Sequence, residues 1–262
     1  MTKLNKVTML KTGIILKHLY KQIESSAKNR NVADLRIGLG YVGVKLDNDA
    51  TGIAAVLFDA LPHGCTVMPT AGNFAGSAAV DLLKYLVDGK NPLEIALGLA
   101  CANALIKPPA DSSDNKEATT YLDLKPGEKV AMVGLFAPLV ERIRATGAVL
   151  TVIEKNPQRL EVLSEEEKQK ALRDCDVAII TATTLLNNTF EETISYLSRP
   201  RSVAVLGPST PLMPEIFQNT PVTHLGGAAV IDSARVLQII SEGGGTPVLR
   251  PYLRFVNVIN KH

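Results

Sequence analysis

The run Val130-Ala-Met-Val-Gly-Leu-Phe136, the segment Pro138 to Thr146 and the run Val149-Leu-Thr-Val-Ile-Glu154 constrain this chain more than any other feature. They predict strand, helix, strand. A short apolar run that closes on glycine, a helix opened by proline and a second apolar run that closes on an acid is how an open α/β domain begins. A dinucleotide fingerprint needs glycine again two and five residues after the first, so that backbone can approach a pyrophosphate. Those places hold Phe136 and Leu139. The pattern therefore predicts the architecture and argues against ordinary NAD binding.

Strands near Val130, Val149, Val177 and Ser202 alternate with helices near Pro138, Ser164, Thr189 and Pro211, and a last helix is expected from Val230 to Glu242. Such alternation implies right-handed crossovers and a mostly parallel sheet. Leu253 to Ile259 is expected either to add an edge strand or to return to the first domain. The polar stretch from Lys107 to Lys129 interrupts two apolar regions, which places a domain boundary there and gives domains 1–107 and 108–262. In the first, a lysine-bearing amphipathic helix leads to Leu35–Leu46 and Gly52–Phe58, read as the two arms of a hairpin, then to helices at Ala75–Val87 and Pro92–Ile106. The fold class is thus α/β, a small α+β domain followed by a doubly wound parallel sheet.

At 262 residues and 46% hydrophobic content, the chain can bury one large core or two modest ones. A net charge of +2 with scattered Lys and Arg, and 5% aromatic residues, argue against nucleic acid as a partner. The lysines within Met1 to Ser25 break any continuous apolar run, so neither a signal peptide nor a membrane span is expected and the cytoplasm is the default location. Cys65, Cys101 and Cys175 are too scattered for a disulfide framework and are expected as free thiols unless a metal takes them. A symmetric homodimer is the base-rate expectation for assembly.

In an open parallel sheet, ligands meet the loops at the carboxyl ends of the strands. Four such loops are expected to converge: Gly134 to Pro138 with Phe136, Glu154 to Pro157, Thr181 to Thr189 with Thr184 and Asn187, and Gly207 to Pro211 with Ser209 and Thr210. Glu154, 20 residues after Gly134, is placed to accept from ribose hydroxyls, or is a solvated acid at a strand end. Ser209 or Thr210 reads as an N-cap before Pro211, explained either by anion binding or by capping alone. Asn103 interrupts a small-residue helix and needs partners, either backbone or a ligand in the interdomain cleft.

Soft ligands are sparse. His63 and Cys65 share one loop, and His224 with Asp232 flanks Gly226-Gly-Ala-Ala-Val230; each set could hold a cation or be an ordinary loop.

Val130 to Gly134 with Pro138-Leu-Val, Val152 to Pro157, Asp176 to Thr181 with Thr184-Leu-Leu-Asn187, Gly207-Pro-Ser-Thr-Pro211 and Ser241-Glu-Gly-Gly-Gly245 together resemble the putative heavy-metal chelation family. Gly98-Leu-Ala and Asn103-Ala-Leu105 resemble its N-terminal part. The resemblance covers nearly the whole chain. It implies an enolase N-terminal-like domain joined to a Rossmann-like domain, a site in the cleft between them, metal chelation and a link to anaerobic corrinoid metabolism; it assigns no catalytic residue. Thr, Asn, Ser and Glu dominate the loops, and such hard-oxygen groups suit a metal already held by a small polar molecule better than a bare thiophilic ion. The competing expectation is an enzyme using a nucleotide-derived ligand such as S-adenosylmethionine, motivated by Glu154 and opposed by Phe136. A third is a non-catalytic interaction module with an exposed apolar patch.

Overall fold

The computed structural model describes residues 13–61, 64–107 and 118–260. Helix α1 (Ile14–Ala27) buries Ile15, Leu16, Leu19, Ile23 and Ala27, an apolar stripe at helical spacing that faces the core. Strands β1 (Val32–Ile37), β2 (Tyr41–Leu46) and β3 (Thr51–Ala55) form an antiparallel meander. Leu35 to Leu46 is therefore two strands rather than the one expected. The chain reverses at Gly38-Leu-Gly40, where the Gly38 N–H donates to the Tyr41 carbonyl at 2.9 Å. A Cβ on Gly38 would lie 2.0 Å from the Ile240 carbonyl oxygen, a close approach made by sequence-distant backbone.

The helix expected over Ala75–Val87 is shorter and broken at Lys84, into α2 (Ala79–Leu83) and α3 (Tyr85–Asp88). Helix α4 (Pro92–Leu105) starts where expected. Asn91 caps it by accepting from the Leu93 and Glu94 N–H groups, and proline occupies its first turn. Its small residues let it sit on β3, where a Cβ on Gly52 would lie 2.2 Å from the Ala100 carbonyl oxygen.

The second unit runs α5 (Ala118–Leu122), β4 (Lys129–Val133), α6 (Ala137–Ala145), β5 (Val149–Ile153), α7 (Glu165–Asp174), β6 (Val177–Thr181), α8 (Thr183–Leu186), α9 (Phe190–Ser195), β7 (Ser202–Leu206), β8 (His224–Val230), α10 (Ser233–Ser241), α11 (Thr246–Leu249) and β9 (Leu253–Ile259). The sheet order is β5-β4-β6-β7-β8-β9, parallel from β5 through β8, with β9 antiparallel on β8. Leu253–Ile259 thus takes the edge-strand alternative. The fold class is α/β, a small antiparallel sheet followed by a six-stranded, mostly parallel one.

Two expected helices differ. No α-helix follows Pro211; Pro214 holds Met213 extended (φ −131°, ψ 90°), so only a 3-10 turn at Pro214–Phe217 forms. The last long helix begins at Ser233 rather than Val230, because Val230 is still paired with Leu253 in the sheet. One continuous cluster of buried apolar side chains includes Leu16, Leu46 and Leu97 from the first unit and Val133, Ile180 and Phe217 from the second. The two units share a core. Among the described residues, no helix is long and apolar enough to cross a membrane.

Candidate functional site

A cleft of about 480 Å³ lies between the units, formed by the C-terminal ends of α1 and α4, the β2–β3 turn, Thr210 with Leu212, and the end of β8 from Ala228 to Val230. That volume falls in the range of small-molecule sites. Asn103, in the last turn of α4, is half-buried and lines it. The Asn103 Nδ2 donates to the Ile53 carbonyl in β3 at 3.0 Å and to the Ser209 carbonyl of the second unit at 3.4 Å. The backbone alternative for this amide is the one observed: its nitrogen binds two carbonyls, while the residue borders the cleft.

Ser209 does not cap a helix, since none follows; its Oγ accepts the Ala55 N–H at 2.8 Å. Through Oγ and its carbonyl, Ser209 is fastened to the first unit. Thr210, beside it, is only 2% exposed and its Oγ1 has no hydrogen-bond partner among the described residues. A buried hydroxyl without a partner is costly, on the order of 1–3 kcal/mol, and this one is sealed from the cleft that its residue borders.

Arg30 and Lys107 bring positive charge to the lining, with Asn29, Asn48 and Thr51 between them. Arg30 is paired only loosely, its Nη1 lying 3.6 Å from Asp47 Oδ1. No carboxylate, thiol or imidazole is among the described lining residues. Sequence reasoning passed over Arg30 and Lys107 because a solitary exposed cation resembles any other. Only the position of Lys107 four residues after Asn103, past the end of the same helix, hinted at its place.

The remaining loop residues gather elsewhere, at the point where strand order reverses between β4 and β6. Gly134 has φ +83°, and a Cβ there would sit 2.7 Å from Thr181 Cγ2, so glycine is required for the two strand ends to meet. Glu154 is buried and fully engaged. Its carboxylate accepts the N–H groups of Lys155 at 2.7 Å, Leu135 at 3.2 Å and Asn156 at 3.2 Å, and pairs with Arg159 at 2.9 Å. Burial pushes the Glu154 carboxyl up, but the Asn156, Lys155 and Leu135 N–H groups and the Arg159 guanidinium outweigh it and hold it below the usual carboxylate value.

The hydroxyls here also serve one another. Thr181 Oγ1 and Thr183 Oγ1 are 3.0 Å apart, the Thr184 hydroxyl donates to the Thr181 carbonyl at 2.7 Å, and Asn187 Oδ1 accepts from Thr189 at 2.7 Å. Phe136 packs against the core of the sheet, its ring edge 4.0 Å from where a Gly207 Cβ would be. The four loops thus meet at this reversal, through the Leu135 N–H on Glu154, Gly134 against Thr181 and Phe136 beside Gly207, and not at the cleft: of their residues, Thr210 alone is in the cleft lining.

The two soft-ligand sets fare differently. His63 lies outside the described residues, and Cys65 is exposed. His224 and Asp232 are not brought together, because the whole of β8, roughly 20 Å of extended chain, separates them. Asp232 caps α10 by accepting the Arg235 N–H at 3.0 Å. His224, 2% exposed, lies 2.9 Å through Nε2 from Asn257 Oδ1 and has its ring centroid 5.2 Å from that of Tyr121. No group of three or more His, Cys, Asp or Glu able to hold a metal occurs among the described residues. Burial pushes the Cys101 thiol up to about 12 and the Cys175 thiol up to about 11, so both are inert core thiols.

Family models bear on the whole of this arrangement. One, DUF364, described as putative heavy-metal chelation, matches residues 117–259; a second, DUF4213, with the same description, matches residues 20–106. The chain belongs to the putative heavy-metal chelation family. An uncharacterized protein of Methanocaldococcus jannaschii is 27% identical over 157 residues, a match spanning 58% of this chain and 61% of that protein. Two crystal structures of family members of unknown function share its fold. One, from Pyrococcus horikoshii, has a TM-score of 0.80 at 19% identity, covering 94% of this chain and 99% of the other. The second, from Desulfitobacterium hafniense DCB-2, has a TM-score of 0.75 at 21% identity, covering 93% and 98%.

Proposed function

We propose that this chelation-family chain binds a metal already complexed by a small molecule, and that it does so in the cleft between its two units. The observation that carries this reading is the donor set of the cleft. A bare ion is held by carboxylates, thiolates, imidazoles or converging carbonyls, whereas amide, hydroxyl, guanidinium and ammonium groups recognise the periphery of a small molecule. The volume supports the same choice, since 480 Å³ corresponds to about sixteen waters at roughly 30 Å³ each, far more than one ion needs. The corrinoid link implied by the family resemblance belongs to this reading, a cobalt-bearing chelate being one member of the class.

An enzyme using a nucleotide-derived ligand at the β4–β6 reversal draws less support, because the Glu154 carboxylate is occupied by three N–H groups and Arg159.

The test is native mass spectrometry of anaerobically purified protein with elemental analysis of the same sample. A retained mass of metal plus organic ligand is expected, abolished by Ala50→Trp, which fills the cleft from the β2–β3 turn. Retention of the same mass by Ala50→Trp would sink the assignment.

A further inference from the structure

The charge and hydrogen-bonding character of the cleft go further than its volume. We infer that the cleft recognises an oxyanion arm of its ligand, a carboxylate or phosphate group left free on the chelator, with Arg30 and Lys107 supplying the countercharge. This rests on the reading of the cleft as the binding site and deepens it.

Two observations carry this. The two charged side chains of the described lining, Arg30 and Lys107, are both cations. The nearest compensating acid, Asp47, is 3.6 Å from Arg30 and is not itself part of the lining, so an entering anion has only a loose, solvent-exposed pair to displace.

The opposing influence is the pair of C-terminal ends of α1 and α4, which face the same space and carry partial negative charge. A macrodipole amounts to roughly half a charge at a helix end, about one charge for the two, against the two positive charges of Arg30 and Lys107, so the lining as a whole favours an anion.

Isothermal titration of the full chain tests this, with cobalt(II)–citrate, citrate alone, inorganic phosphate and cobalt(II) chloride as probes. Cobalt(II)–citrate is expected to bind, and binding to weaken with rising salt. Arg30→Gln, at a half-buried surface position, and Lys107→Gln, at an exposed one, should each weaken binding by roughly two- to tenfold and flatten the salt dependence. The ratio of citrate to phosphate affinity tells which oxyanion the site prefers. Cobalt(II) chloride binding as tightly as the complex, with no response to the Arg30 or Lys107 variants, would overturn the oxyanion inference and leave cleft binding of metal standing. Binding that these two variants and Ala50→Trp all leave intact would remove the cleft itself from the account.

Discussion

Glu191 Oε1 accepts the Ile15 N–H at 3.1 Å, and the two residues are 176 apart in the chain. With Asn188 Oδ1, which accepts the Gly13 N–H at 3.2 Å, it caps the start of α1 from the second unit. The free N–H groups at a helix start are ordinarily capped by the preceding side chain, and Gly13 has none. The cap supplied from α9 therefore ties helix formation in one unit to the placement of the other.

Glu191→Ala is expected to cost about 1 kcal/mol of stability, the usual value of a helix cap. Urea denaturation should record the loss, and hydrogen exchange should show it concentrated at the first turn of α1. Gly13→Ala should cost no more than that, because the new Cβ would stand 2.5 Å from Glu191 Oε1, the movable end of a side chain that can swing aside at the expense of the cap.

Asn103→Leu removes the amide that joins β3 to the Ser209 carbonyl while keeping the helix. Stability should fall by about 1 kcal/mol, and affinity for cobalt(II)–citrate should fall as well, since the same residue borders the cleft. Calorimetry on the folded variant separates the two effects.

Arg201 donates to both oxygens of Glu128, at 2.6 Å and 2.7 Å, and to the Leu122 and Asp123 carbonyls. The Arg201 guanidinium, aided by the Lys125 N–H against the push of burial, lowers the Glu128 carboxyl from 4.5 to about 2. The folded value lies below the unfolded one, so the stabilisation is present above pH 4.5 and is lost as pH falls from there toward 2. Because the pair is partly solvated, Arg201→Gln should cost only about 1 kcal/mol at neutral pH. The difference from wild type should shrink across that acid window in urea titrations.

His224 has the same sign for a different reason. Burial lowers its value below 6.5, and the Asn257 bond opposes this only in part. The Asn257 oxygen sets the tautomer: Nε2–H donates, and the partnerless Nδ1 keeps its lone pair. As pH falls below 6.5 the unfolded chain takes a proton that the folded chain resists, so stability declines. The thermal midpoint of wild type should therefore drop more steeply below pH 6.5 than that of His224→Gln.

Much of the fold was legible because it is local. The β4, α6 and β5 runs, the start of α4 at Pro92 and a helix near Ser164 all follow from spacing within a few residues. The failures are non-local. Gly38 looked like a strand glycine, and its role is set by Ile240, 202 positions away; Ser209 looked like a cap, and its partner is Ala55. Likewise Asn103 was visible as an odd amide among small residues, while Arg30 and Lys107 acquire meaning only when the two units close around one space. The emphasis on Glu154 came from a spacing rule that does not reveal whether the carboxylate is already occupied.

The most direct test of cleft binding is a crystal structure of the full chain grown with cobalt(II)–citrate, with anomalous scattering recorded at the cobalt edge. A single strong peak is predicted between α4 and β8, with citrate oxygens facing Arg30 and Lys107. A peak at the Cys65 loop or at the β4–β6 reversal, with the cleft holding only water, would contradict it.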